Sequence, residues 1–147
     1  MAVKPVPEGY PTVTPYLTVS DAAALLDFLK RAFNATERHL MRGPDGQVWH
    51  ADVMIGDSHV MFGQAGGQWT PMPGQLYLYL PDADATYRQA LGAGAVSIQE
   101  PTTQFYGDRV AAVKDAQGNL WWMATHVEDV PEAEMERRMK AANPQTG

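Results

Sequence analysis

Two histidines and an aspartate, His50, Asp52 and His59, fall within ten residues of one another. Two imidazoles and a carboxylate can make an open site for zinc or iron, and a single imidazole beside a carboxylate can serve as an oriented general base. Arg109, in the run Tyr106-Gly107-Asp108-Arg109, carries a planar fork of donors able to grip a carboxylate or another anion at two points. Its bland alternative is a strand-edge arginine bonded to Asp108, Glu100 or a turn in the first half. His126, followed by Glu128 and Asp129, closes a run that begins with Trp121-Trp122. Ser58 beside His59 is not a nucleophile–base pair, since adjacent strand residues point to opposite faces. There is no cysteine, so thiolate ligands, cysteine nucleophiles and disulfides are excluded.

The elements that must hold these residues read clearly. Ser20 is the expected N-cap of a helix in which Ala22, Leu25, Leu26, Leu29, Ala32 and Phe33 share one face and which Asn34 ends. A strand follows over residues 35–43, then the turn Gly43-Pro44-Asp45-Gly46. Residues 47–55 and 58–64 form a hairpin around Gly56-Asp57. Residues 65–74 have the glycine and proline load of a linker.

The pattern then restarts. Tyr16 and Tyr77, Leu17 and Leu78, Asp21 and Asp82, Ala24 and Ala85, and Gly46 and Gly107 each stand 61 residues apart. The chain therefore reads as an α+β protein of two βαβββ modules, residues 12–64 and 75–128, within one domain spanning 1–147. Residues 129–147 form a terminal helix and tail, its acids early and bases late, with Met135 and Met139 on one side to pack on the body or a partner. Gly92-Ala93-Gly94 is a helix exit and no phosphate cradle, because no helix follows it.

Pairing across Gly56-Asp57 sets the faces of the first hairpin. Ile55 should oppose Ser58, Met54 His59, Asp52 Met61 and His50 Gly63. Trp49, Ala51, Val53, Ile55, Val60 and Phe62 then form an apolar face for a helix. His50, Asp52, Met54, His59 and Met61 line the other, a mixed surface suited to a ligand. In the last strand, Leu120, Trp122, Ala124 and His126 share one face, and Trp121 packs with the helix side.

The segments TPYLTVSDAAALLDFLKRAFNATE, PDGQVWHADVMIGDSHVMFG and YGDRVAAVKDAQGNLWWMATHVEDV resemble the vicinal-oxygen-chelate superfamily of glyoxalases, bleomycin-resistance proteins and extradiol dioxygenases, in particular its PhnB-like branch. The resemblance runs from Val13 to about Met139. It implies a curved mixed sheet around a cavity between βαβββ modules, in a homodimer, with metal ligands on the first and last strand of each module. Those slots fall on Thr14, Met61, Gln75 and Trp122. Their usual occupants are histidine, glutamine or glutamate, and here only Gln75 is a ligand of that kind; an indole N–H cannot coordinate. The module offset pairs Arg109 with Val48, on the cavity side. Some members of that branch carry a methyltransferase label, but no glycine-rich loop follows a first strand to support a methyl donor.

A net charge of −6, with the acids dispersed, argues against a nucleic-acid or anionic-membrane surface. The start has no apolar run of a signal peptide, and no stretch approaches the ~20 apolar residues of a membrane helix. A cytoplasmic homodimer is expected. The expected function is binding a small, partly apolar organic molecule, with Thr14, His50, Asp52, Met61, Gln75, Arg109 and Trp122 as candidate contacts and no cofactor. The alternative is a lyase, isomerase or dioxygenase using a divalent metal at His50, Asp52 and His59. A third reading is an interaction module with a filled core and no ligand.

Overall fold

The computed structural model describes residues 2–142; the end of the expected C-terminal tail, 143–147, lies outside the described residues. In order, the elements are β1 (Tyr16–Val19), α1 (Ala22–Phe33), β2 (Thr36–Arg42), β3 (Val48–Ile55), β4 (Ser58–Gln64), β5 (Gln75–Tyr79), α2 (Ala83–Gly92), β6 (Val96–Thr103), β7 (Asp108–Lys114), β8 (Leu120–His126) and α3 (Glu132–Ala142). Strand, helix and three strands thus occur twice, as the α+β reading requires. Two compact units result, one carrying β1 to β4 with residues 116–118, the other carrying the remaining strands with α2 and α3.

In the first unit the sheet order is β1-β4-β3-β2, with β1 parallel to β4 and the other pairs antiparallel. The second unit repeats this as β5-β8-β7-β6, with β5 parallel to β8. Each parallel strand needs a crossover, and α1 and α2 supply them. One face of each sheet is therefore sealed by a helix. Leu17, Val19, Ala51, Val53, Val60 and Phe62 are buried there with Leu25, Leu29 and Phe33 of α1. In the second unit Ala111, Val113, Trp121 and Met123 are buried with Ala83, Tyr87 and Ala90 of α2.

The cap of α1 differs from expectation. Asp21, not Ser20, is the N-cap, with extended backbone and a carboxylate that accepts the Ala24 N–H at 3.0 Å. Ser20 is still occupied with the sheet, its carbonyl accepting from the Gln64 side-chain amide. Asp82 caps α2 in the same way, accepting from Ala85 at 3.0 Å. Asn34 ends α1 in the left-handed conformation, φ 56°.

Trp49 also departs from the expected helix-side packing: it is 51% exposed. Its indole lies over Gly43 in the preceding turn, where a Cβ would collide with it. Helix α3 fully buries none of its residues among those described; Met135 is half-buried and Met139 exposed. Arg138 also ties the helix down, its fork reaching Glu128 at 2.7 and 3.0 Å and its Nε donating to Glu134 at 2.9 Å.

Candidate functional site

The open face of each sheet, turned away from its helix, gathers the chemically able side chains. In the first unit the β3–β4 register is the one expected: Ile55 with Ser58, Met54 with His59, Asp52 with Met61 and His50 with Gly63. Asp52 and His59 are diagonal neighbours, and both are buried, at 1% and 4% exposure. His59 Nδ1 donates to Asp52 Oδ1 at 2.9 Å. The other carboxylate oxygen, Oδ2, accepts the hydroxyl of Tyr10, and the Tyr10 ring stacks on the imidazole at 3.9 Å between centroids. That hydrogen bond to a carboxylate pushes the Tyr10 phenol above its ordinary pKa.

His50 does not join this pair. Its Nδ1 lies 3.3 Å from the hydroxyl of Tyr16, whose ring stacks on it at 5.6 Å. Gly63 makes the approach possible, since a Cβ there would stand 2.5 Å from that hydroxyl oxygen. With both Asp52 oxygens engaged and His50 turned to Tyr16, the trio His50, Asp52 and His59 does not converge on a point. No group of three or more His, Cys, Asp or Glu among the described residues is placed to hold a metal ion.

The second open face is aromatic. Gln75, Tyr77 and Tyr79 alternate along β5, and Tyr77 pairs with Trp122 across the parallel β5–β8 ladder. Tyr77 stacks on Trp122 at 6.5 Å and meets Tyr79 edge-on at 5.3 Å. The Trp122 indole N–H donates to Gln75 Oε1 at 2.5 Å. Of the four residues in the expected metal slots, Gln75 thus has its donor oxygen taken by a neighbour that cannot coordinate. Met61 is half-buried, and Thr14 stands just ahead of β1, also half-buried. This donor set does not fit a divalent cation.

A polar hub not foreseen from the sequence lies at one end of this face. Asp108 is buried; its Oδ2 accepts from Tyr77 at 2.9 Å and Tyr79 at 3.1 Å, and its Oδ1 accepts from His126 Nδ1 at 2.9 Å. Burial would raise the Asp108 pKa, but the hydrogen bonds from His126, Tyr77 and Tyr79 outweigh it and hold the carboxyl below its ordinary value. Burial, then the bonds to Asp108 and Tyr106, push the Tyr77 phenol well up. His126 Nε2 lies 2.7 Å from Asp129, and bonds to Asp108 and then Asp129 raise the imidazole pKa. A carboxylate at each ring nitrogen favours the protonated imidazole and makes His126 a poor base.

Arg109 is not on the open face. Its Nε and Nη2 grip Asp84 in the first turn of α2 at 2.7 and 2.9 Å, and Nη1 donates to Thr103 at 3.1 Å. The expected pairing with Val48 fails by one residue. Met61 faces Asp52, but Trp122, 61 residues later, faces Ala112. Asp115 N–H bonds the Asn119 carbonyl, closing a turn of three residues, Ala116-Gln117-Gly118, where the first hairpin has the two residues Gly56 and Asp57. The extra residue makes Asp108 the counterpart of Val48 and Arg109 the counterpart of Trp49. The same turn is tied into the second core by Asp115, which accepts from the Asn119 amide at 3.0 Å and the Trp121 indole at 2.8 Å.

The family model for the glyoxalase/bleomycin resistance protein/dioxygenase superfamily matches residues 11–123. The chain belongs to that superfamily. An uncharacterized protein of Mycobacterium bovis is 33% identical over 142 residues, covering 89% of this chain and 93% of its own length. Among solved structures, TioX from Micromonospora sp. ML1 superposes with a TM-score of 0.70 at 24% identity, over 80% of this chain and 99% of its own. A superfamily enzyme from Burkholderia phytofirmans PsJN gives 0.60 at 16%, over 78% and 97%. At these identities the solved structures speak for the superfamily fold and leave its chemistry open. No helix among the described residues is long and apolar enough to cross a membrane.

Proposed function

We propose that this superfamily member binds a small, partly apolar organic molecule on its open sheet faces without the metal centre of its metal-using relatives. The observation that carries the reading is the hydrogen bond from Trp122 to Gln75, which fills two of the four ligand slots with partners for each other. An indole over a strand, flanked by tyrosines and an amide, suits a flat ligand with a few polar groups. In the second unit Trp122 and Gln75 are the contacts in this reading; in the first unit they are His50, Asp52 and Met61, with Thr14 at the edge of the sheet; Arg109 is turned away by its bond to Asp84. Membership of the PhnB-like branch, a homodimer and a cytoplasmic setting belong to the same proposal. The segments quoted from the sequence support the branch, and Met139, exposed on α3, suits contact with a second copy. Asp52 and His59 are paired with each other and Tyr10, which weighs against the alternative metal-dependent lyase, isomerase or dioxygenase.

The test joins metal analysis to ligand titration. After incubation with nickel, zinc, iron or manganese and dialysis, the protein should hold no ion stoichiometrically, and a binding molecule should change tryptophan emission in wild type but much less in Trp122→Phe. One divalent ion retained per chain, and lost in Gln75→Ala, would overturn the proposal.

A further inference from the structure

We infer that Asp52 and His59 form a recognition site for a phenol, and that the chain's own Tyr10 fills it in the present structure. The inference rests on the small-molecule reading and names the ligand class for the first unit. Asp52 and His59 are two polar side chains buried to 1% and 4% exposure on the sheet face that no helix covers. A carboxylate so placed needs a donor, and one oxygen has His59. The second donor comes from outside the sheet. Tyr10 belongs to no strand or helix, and residues 2–9 ahead of it are exposed. It is aimed by a turn in which its N–H bonds the Pro7 carbonyl at 3.1 Å, with Gly9 at φ 82° where such a turn demands a positive value.

The contact Tyr10 makes has the form of ligand recognition. A flat ring lies on the imidazole, 21° from parallel, and a neutral hydroxyl donates to the carboxylate. A free phenol offers the same ring and donor. An anionic ligand would be repelled by Asp52, and an aliphatic alcohol would leave the face of His59 uncovered. Met54 and Met61, half-buried beside the pair, supply adaptable apolar walls. His59 Nε2 has no hydrogen-bond partner among the described residues.

The experiment is replacement of the tethered phenol by a free one. 4-Methylphenol, the tyrosine side chain alone, should bind Tyr10→Ala by calorimetry at least about tenfold more tightly than toluene, which lacks only the hydroxyl. Asp52→Asn in that background should erase the preference. In wild type, where Tyr10 competes, binding should be weaker, and at saturation the His59 ring proton resonances should shift. If Tyr10→Ala is poorly folded, Tyr10→Phe keeps the stacked ring, and 4-methylphenol should bind it more tightly than wild type. No binding to folded Tyr10→Ala, equal affinity for toluene, or equal affinity of wild type and Tyr10→Phe would each overturn the inference. Failure of the broader reading shows elsewhere, in the metal content and the emission of Trp122.

Discussion

Replacing Asp108 by asparagine keeps the shape of the hub in the second unit and removes its charge. The carboxylate receives three hydrogen bonds, from Tyr77, Tyr79 and His126. A hydrogen bond to a charged group contributes about 1.5–3 kcal/mol when its partners have no alternative. Here Tyr79 is 66% and Tyr77 42% exposed, and His126 is open to water as well, so all three can be resolvated. The loss should therefore be well below the sum, about 2–4 kcal/mol. Its pH dependence follows from the two shifts. The Asp108 pKa is held down, so its contribution is present above the ordinary carboxylate range and lost as pH falls through the lowered value. The His126 pKa is raised, so its contribution is present below about 6.5 and lost as pH rises through the raised value. In Asp108→Asn only the exposed contact with Asp129 remains for the imidazolium. The difference in unfolding free energy between wild type and variant, measured by urea melts followed by circular dichroism, should be largest near pH 5–6 and shrink on both sides. A difference under about 0.5 kcal/mol at pH 6, or one flat from pH 5 to 9, would refute the assignment of Asp108 as the charged centre of the hub.

Asp21→Ala should cost about 1 kcal/mol in the same melts and Ser20→Ala under about 0.5, because the cap of α1 is the aspartate; the reverse order would restore the serine. Arg109→Ala should shift the urea midpoint only slightly, since Arg109 and Asp84 are each about a third exposed and water screens the pair. It should also leave ligand-induced changes in Trp122 emission unaltered, as its side chain points to α2.

The register of the first hairpin was legible from the sequence. A two-residue turn of glycine and aspartate fixes register, and register fixes which side chains share a face. Asp52, His59 and Met61 were placed correctly for that reason. Their grouping was not: His50 looked equivalent to Asp52 by alternation, and only the stacking of Tyr16 on His50 separates the two. Tyr10 left no signal at all. It sits ten residues from the start in a segment without periodicity, and its partner Asp52 is 42 positions away. The N-cap was misread because Ser20 and Asp21 are both good caps and adjacent, so the choice depends on where β1 releases the backbone.

The second sheet shows how little it takes to lose a site. A repeat offset of 61 carries β4 onto β8 correctly, and with it Met61 onto Trp122. One additional residue in the β7–β8 turn then moves every residue of β7 by one relative to that mapping. Because strand side chains alternate, a shift of one exchanges the two faces. Arg109, expected beside the ligand, is delivered to the helix side and to Asp84, where its fork is satisfied within the unit. Asp108, its neighbour, takes the open face and meets Tyr77, Tyr79 and His126. The extra residue was visible as glycine-containing Asp115-Ala116-Gln117-Gly118-Asn119 against Gly56-Asp57. A three-residue turn with glycine in the left-handed region, as Gly118 is at φ 89°, is the common alternative to the two-residue form. With three turn residues in the second hairpin and two in the first, alternation places the aspartate, and not the arginine, on the open face. The second unit therefore presents a carboxylate with phenol donors around it, as does the first at Asp52, although the two aspartates are not repeat counterparts: Asp52 maps onto Ala112 and Asp108 onto Val48. Each open face has arrived separately at a buried carboxylate answered by tyrosine and histidine, Asp52 by Tyr10 and His59, Asp108 by Tyr77, Tyr79 and His126, so neither carboxylate depends on its repeat counterpart for its donors.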